Sequence, residues 1–324
     1  MARQRIGTGI AAAVAAVVLF VAVGGALAQE AYPRKPITFI IPNEAGSSMD
    51  TSGRPLAELM QKELGQPMLI VNKPGAAGTI ALRDVHGAKA DGYTVGLAAT
   101  AHYAKLVGLV PFDHNDLTVI GVPAGGVPGI MVPADRPWKS VKELVEHARS
   151  RPGELKVATT TRGGYWWLAT KAFEKAAGIK LNVLAQPGGG GMVVTQVAGG
   201  HVDLGVAGLP ESRSQIQAGT IRFLAMFGSK RVPGYEQIPA LAEAGYRAEV
   251  LGVMALVAPK GLPKPVHEAL ARAFSVAARS PAYDKALAQM GAVRLGLVGE
   301  EAVKFLDEQA GVMRPILGDA GLLK

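Results

Sequence analysis

Pro36-Ile37-Thr38-Phe39-Ile40-Ile41-Pro42 runs directly into Asn43-Glu44-Ala45-Gly46-Ser47-Ser48, and Met49-Asp50 opens the segment that follows. The first stretch is short, apolar and rich in β-branched residues, as a buried strand is. The second is a polar, glycine-containing loop. In the third, Leu56, Leu59, Met60 and Leu64 recur at helical spacing, and Gly65 stops the helix. The same order then repeats. A strand over 68–71 precedes the loop 72–79, with Gly75-Ala76-Ala77-Gly78, and a short helix ends near His86. Strands follow at 93–97, 156–159, 181–184, 202–206 and 221–226. The loop 160–166 leads into a helix ending before Gly178, and 186–191 leads into one over 192–198. Strands alternating with helices imply parallel sheets covered on both faces.

Over 119–132 the chain breaks into short apolar pieces around Pro123, Gly125, Gly126, Pro128 and Gly129. The segment 250–257 reads as a returning strand, and helical periodicity marks 138–150, 265–280, 281–290 and 300–317. The expectation is an α/β chain with two domains joined by two crossings, near 123–132 and 248–254. Residues 29–127 and 250–324 form the first domain and 128–249 the second. A cleft between two such domains is where a ligand sits.

The chain has 324 residues, 49% of them hydrophobic, with 34 Lys+Arg, 26 Asp+Glu and no Cys. Such a composition supports a sizeable core. The absence of Cys excludes disulfides, thiolate metal sites and a cysteine nucleophile. The formal charge of +8 is scattered, without the basic stripe of a nucleic-acid binder. Residues 1–28 stand apart. Arg3 and Arg5 precede an apolar run over 10–23, and Ala26-Leu27-Ala28 forms an A-x-A site. This is the pattern of a secretory signal peptide cleaved after Ala28. The competing reading is an uncleaved membrane anchor, since the run is nearly long enough to span.

Four loops, 43–50, 72–79, 160–166 and 186–191, follow strand ends and open helices. Ligands of open α/β sheets lie at such ends, and the N–H groups of a helix start favour anions. Tight turns alone would also need the glycines. No P-loop, G-x-S-x-G or H-E-x-x-H motif occurs, and the 6 histidines include no i,i+4 pair. The chain therefore offers recognition without catalysis, metal or cofactor.

At these loops the sequence resembles the extracytoplasmic solute receptors of tripartite tricarboxylate transporters, the Bug family. The resemblance rests on Tyr32-Pro33-Arg34-Lys35-Pro36-Ile37, Gly65-Gln66-Pro67, Asn72-Lys73-Pro74-Gly75-Ala76-Ala77-Gly78, Asp91-Gly92-Tyr93-Thr94 and Gly199-Gly200-His201-Val202-Asp203. It implies two Rossmann-like, parallel-sheet domains in the periplasmic binding protein arrangement. It implies a periplasmic, non-enzymatic receptor for a small organic carboxylate, with membrane transporter subunits as partners. A monomer is expected. The alternatives are a receptor for a signalling partner and an enzyme on a similar scaffold.

Carried over by motif, the ligand-binding residues are Asn43, Glu44, Ala45, Gly46, Ser47, Ser48 and Asp50 in the first loop. Gly75, Ala76, Ala77, Gly78 and Thr79 come from the second, and Thr100 and His102 follow the third strand. Thr161, Arg162, Gly163, Gly164 and Trp166 come next, then Gly189 and Gly190. Arg162 departs from the family loop. A guanidinium there could clamp the carboxylate, or it could neutralise Glu44 across the cleft. Trp166 and Trp167 cannot both face one site. Val206-Ala207 stands where the family has Phe-Asp, and the missing acid argues against an amino-acid ligand.

Overall fold

The computed structural model describes residues 32–186 and 189–324. The signal-peptide reading and Pro187-Gly188 lie outside them. In chain order the first part is β1 (Ile37–Ile41), α1 (Ser48–Leu64), β2 (Met68–Asn72), α2 (Thr79–His86), β3 (Thr94–Ala98) and β4 (Leu117–Gly126). Then come β5 (Pro128–Pro133), α3 (Val141–Ser150), β6 (Lys156–Thr159), α4 (Tyr165–Ala177), β7 (Asn182–Ala185) and α5 (Gly190–Ala198). β8 (Leu204–Gly208), α6 (Leu209–Gln217) and β9 (Ile221–Met226) follow. The chain ends with β10 (Gly252–Pro259), α7 (Lys264–Ala278), α8 (Pro281–Met290), β11 (Ala292–Val298) and α9 (Gly299–Asp319).

Two sheets result. One has the order β11-β4-β10-β3-β1-β2, the other β7-β6-β8-β5-β9. Both are mixed, which corrects the expectation of parallel sheets. β10 runs antiparallel to β3 and β4, β11 antiparallel to β4, and β5 antiparallel to β8 and β9. The reason lies in the crossings. β4 leaves the first sheet and, with only Val127 between, becomes β5 of the second. The returning β10 re-enters beside β4 and must run against it, with Gly252 opposite Gly126.

Four elements escaped the sequence reading. β4 and β5 read only as short apolar pieces, because Pro123, Gly125, Gly126, Pro128 and Gly129 break up 119–132. β11 is a half-exposed edge strand interrupted by Gly296, so its alternation is weak. α6 is short, but Gly208-Leu209-Pro210-Glu211 carries a start signal, with proline in the first turn and an acid behind it. The helix expected over 138–150 starts at Val141, because Ser140 caps it by accepting from the Glu143 N–H at 3.3 Å.

The first sheet is packed on one face by α1, α7 and α8 through Leu56, Met60, Phe274 and Tyr283. Its other face is covered by α2 and the start of α9 through Leu82, Val85, Ala302 and Leu306. The second sheet has its own core around Leu144, Leu168, Phe173 and Val193. α9 does not stay with the first sheet. Its later residues Met313 and Leu317 are fully buried in the second core, so it spans both halves.

Gly121 in β4 shows how tight the first core is. A Cβ there would stand 2.2 Å from Phe274 Cε1 and 2.5 Å from the Leu297 carbonyl oxygen. A backbone atom cannot yield, and interiors packed at crystal density do not absorb a methyl group. Gly121→Ala should lower unfolding free energy by about 1–3 kcal/mol, measured by urea denaturation. An unchanged midpoint would contradict this packing.

Candidate ligand-binding site

Between the sheets lies a cavity of about 360 Å³. Its defining feature is convergence: the N-cap residues of α1, α2, α4, α5 and α6 all line it. These are Ser47, Gly78, Gly164, Gly189 and Gly208. Only Ser47 caps its helix with a side chain, accepting from the Asp50 N–H at 3.3 Å. The four glycines supply no side-chain cap. The first N–H groups of an α-helix have no partner within the helix, and they carry the positive end of its dipole. A glycine cap leaves them to whatever occupies the cavity, except at α6, where the Glu211 carboxyl takes its own N–H.

The first two loops are held from below. Asp50 is buried, and its carboxylate accepts from the Gly46 N–H at 2.9 Å, Asn72 Nδ2 at 2.8 Å and Arg54 Nε at 2.8 Å. Arg54 Nη2 also reaches Asn72 Oδ1 at 3.0 Å, and Asn72 donates to the Asn43 carbonyl at 2.8 Å. Burial opposes the charge on Asp50, but these donors outweigh it and hold its pKa below the usual carboxylate value. Asp50 therefore ties loop to loop. The second loop is the strained one. Ala76 and Ala77, between Gly75 and Gly78, have φ of 46° and 54°. Left-handed alanines are unfavourable by about 1–2 kcal/mol each. Strain of this kind collects where backbone is held toward a ligand.

The cavity's charge is one-sided. Among the described residues, no Lys, Arg or His lines it, while Glu44 and Glu211 do. The remaining walls are largely apolar, with Met49, Val127, Val253, Met254 and Met290. Trp166 covers the crossings: a Cβ on Gly252 would meet its Cη2 at 3.0 Å, and one on Gly126 at 3.4 Å.

Of the residues expected at the site, Asn43, Glu44, Ser47, Ser48, Gly75, Ala76, Ala77, Gly78, Thr100, Thr161, Gly164, Trp166, Gly189 and Gly190 line the cavity. Ala45, Gly46, Asp50, Thr79, His102, Arg162 and Gly163 do not. Arg162 is exposed, lies outside the cavity lining and forms no ion pair with Glu44. Gly163 takes φ of 82° in that turn, and Ala45 and Gly46 lie on the outer surface of theirs. Asp50 is consumed by its three donors, and the Thr79 hydroxyl donates to the Ala76 carbonyl at 2.8 Å. Both tryptophans are buried, but only Trp166 reaches the cavity; Trp167 lies under Lys171 Nζ, 5.6 Å from its ring. The sequence reading missed Tyr103 and Glu211, while Tyr165 belongs to the loop 160–166 that it marked. Glu211 was findable through the start signal of α6.

The profile of the family described as "Tripartite tricarboxylate transporter family receptor" matches residues 53–322. The chain belongs to this receptor family. Protein BugT of Bordetella pertussis is 30% identical over 311 residues, covering 91% of this chain and 94% of its own. Among solved structures, the periplasmic binding protein BugD is 28% identical with a TM-score of 0.81, covering 90% of this chain and 100% of that one. An R. palustris protein solved with adipate is 26% identical with a TM-score of 0.83, covering 90% and 99%. Among the described residues, no helix of the receptor is long and apolar enough to cross a membrane.

In the receptor, His102 serves the site indirectly. Its Nε2 is hydrogen-bonded to the Tyr165 hydroxyl at 3.0 Å, which links the segment after β3 to α4. Nδ1 is buried without a partner. Burial, with His114 adding a little, pushes the His102 pKa down to about 3. The ring is neutral and holds the tyrosine in place. In an unfolded chain a histidine titrates near ~6.5. Below that pH the unfolded state binds a proton that the folded state refuses. The stability contribution is thus complete above ~6.5 and lost as pH falls toward 3. Between pH 7 and pH 5 the stability of wild type relative to His102→Gln should fall by about 2 kcal/mol, read from denaturation at both pH values. A pH-independent difference would refute the neutral, buried ring.

Proposed function

We propose that this receptor captures a small organic carboxylate in the cavity between its sheets and hands it to a membrane transporter. The observation that carries the reading is a cavity without a lysine or arginine that glycine-capped helix starts face, those of α2 and α4 with no carboxylate beside them. Backbone N–H groups and helix dipoles can replace a cation in a largely dry site. The carboxylate bound by the R. palustris relative supports the ligand class. The family supports the transporter partner and a periplasmic location. The receptor family argues for transport over catalysis.

The two halves, 29–127 with 250–324 and 128–249, act on this proposal as domains that close over the ligand. Bending would occur where β4 passes into β5 and where the chain returns to β10. The buried contact of Trp166 with Gly126 and Gly252 lies at that point.

A thermal-shift screen of the mature protein against mono-, di- and tricarboxylates tests the ligand class. A ligand at a hundred times its dissociation constant should add roughly 2.7 kcal/mol of stability. Stabilisation by another solute class, with none by any organic acid, would overturn the reading. For the best ligand, Arg162→Ala should change affinity by no more than about twofold, since the guanidinium is outside the cavity. Gly164→Pro should weaken binding about tenfold or more, by distorting the start of α4. Calorimetric titration separates the two.

A further inference from the structure

The cavity contains an acid that a plain carboxylate does not explain. Glu211 sits in the first turn of α6 and lines the cavity. Its Oε2 is buried and has no hydrogen-bond partner. Its carboxyl group is held closely from both sides: a Cβ on Gly190 would stand 2.6 Å from Oε1, and one on Gly208 would stand 2.7 Å from Oε2. Desolvation raises its pKa, against which the N–H groups of Glu211 and Ser48 and the Ser48 hydroxyl pull. Glu44 adds a second carboxylate nearby, with Oε2 3.5 Å from the position of a Cβ on Gly189.

Both acids therefore stand beside the start of α5. The starts of α2 and α4 differ. A Cβ on Gly78 would meet Pro42, and one on Gly164 would meet Thr160 and the Thr161 carbonyl; neither touches a charged group. Helix start α6 already faces its own anion in Glu211. A second anion placed there would be repelled in a medium that screens poorly. What Oε2 lacks is a donor, best a cationic one, because a buried charge is stable only when paired. Tyr103 contributes a complementary orphan: its hydroxyl is buried, unpartnered, and belongs to a residue lining the same cavity. A hydroxyl can serve the anionic end of a ligand that Glu211 holds by the other.

We propose that Glu211 is a specificity-determining residue that selects, among small organic acids, those carrying a protonated nitrogen. The inference rests on the carboxylate reading above for the other end of the ligand. The acid missing at Ala207 in β8 is supplied four residues later by Glu211 in the first turn of α6, so the argument that Ala207 raised against an amino-acid ligand does not hold. Apolar walls at Met49, Val253 and Met290 leave room for a hydrocarbon body between the charged groups.

The test is calorimetric titration of wild type and Glu211→Gln with three matched sets. These are straight-chain mono- and dicarboxylates, their amino-substituted counterparts of equal length, and the corresponding alkylamines. For wild type, the best amino acid should bind at least about tenfold tighter than its unaminated match. Glu211→Gln should weaken the aminated ligands by about ten- to a hundredfold and leave the unaminated ones unchanged or tighter. Equal or tighter binding of the unaminated acids to wild type overturns the proposal and leaves the carboxylate reading standing. So does an equal effect of Glu211→Gln on both sets. Alkylamine binding that depends on Glu211, with no acid of either set bound, overturns the selection among acids together with the carboxylate reading. Failure of all three sets removes both. If the glutamine variant does not fold, the wild-type ranking alone decides.

Discussion

Everything in this receptor hangs on one antiparallel strand pair. β4 and β10 lie side by side in the first sheet, and Gly126 faces Gly252 where β4 passes into β5 of the second. The outgoing and returning chains thus meet at one place, and Gly126 and Gly252 there form one edge of the cavity. The Trp166 ring lies across both residues: a Cβ on Gly252 would crowd it at 3.0 Å, while one on Gly126 would only touch it at 3.4 Å. The mixed sheets follow from the same geometry, since a chain that leaves and returns through neighbouring strands must reverse.

Around that edge the receptor builds recognition from main chain. Four of the five helices that start at the cavity have glycine caps. Side chains do the supporting work behind them. Asp50, Arg54 and Asn72 fix the first two loops to each other, and His102 steadies Tyr165. None of these four hydrogen-bonding groups around the loops needs to touch the ligand. The strain at Ala76 and Ala77 is carried by a loop already pinned at its base.

Much of this was legible in the sequence, and the failures have physical causes. The run from Ile37 to Ser48 declares a strand and a helix start, and hydrophobic period with glycine placement locates the loops. Those signals are local. Direction is not: nothing in Thr160-Thr161-Arg162-Gly163-Gly164 says that the arginine turns outward, because Gly163 sets that turn through a left-handed φ. Similarly, His102 follows a strand end as a ligand residue would, yet the chain buries it one layer behind the cavity. β11 is hidden by its edge position. α6 was missed for want of a long apolar stripe, although Pro210 and Glu211 mark its start. Strand direction depends on where the chain returns, which no local pattern records.

α9 carries a mechanical consequence. A single helix of 21 residues begins against Val122 and Val253 of the first core and ends with Met313 and Leu317 in the second. Lys175 Nζ to Asp319 at 2.6 Å and the Lys324 N–H to the Leu106 carbonyl at 2.9 Å fasten its far end. A rod clamped at both ends cannot ignore relative movement of its clamps. Any opening or shutting of the cleft must be taken up as flexing of α9 or slippage at one end. Pro315 inside the helix leaves one rung of its ladder unmade, which makes that turn the softest part of the rod.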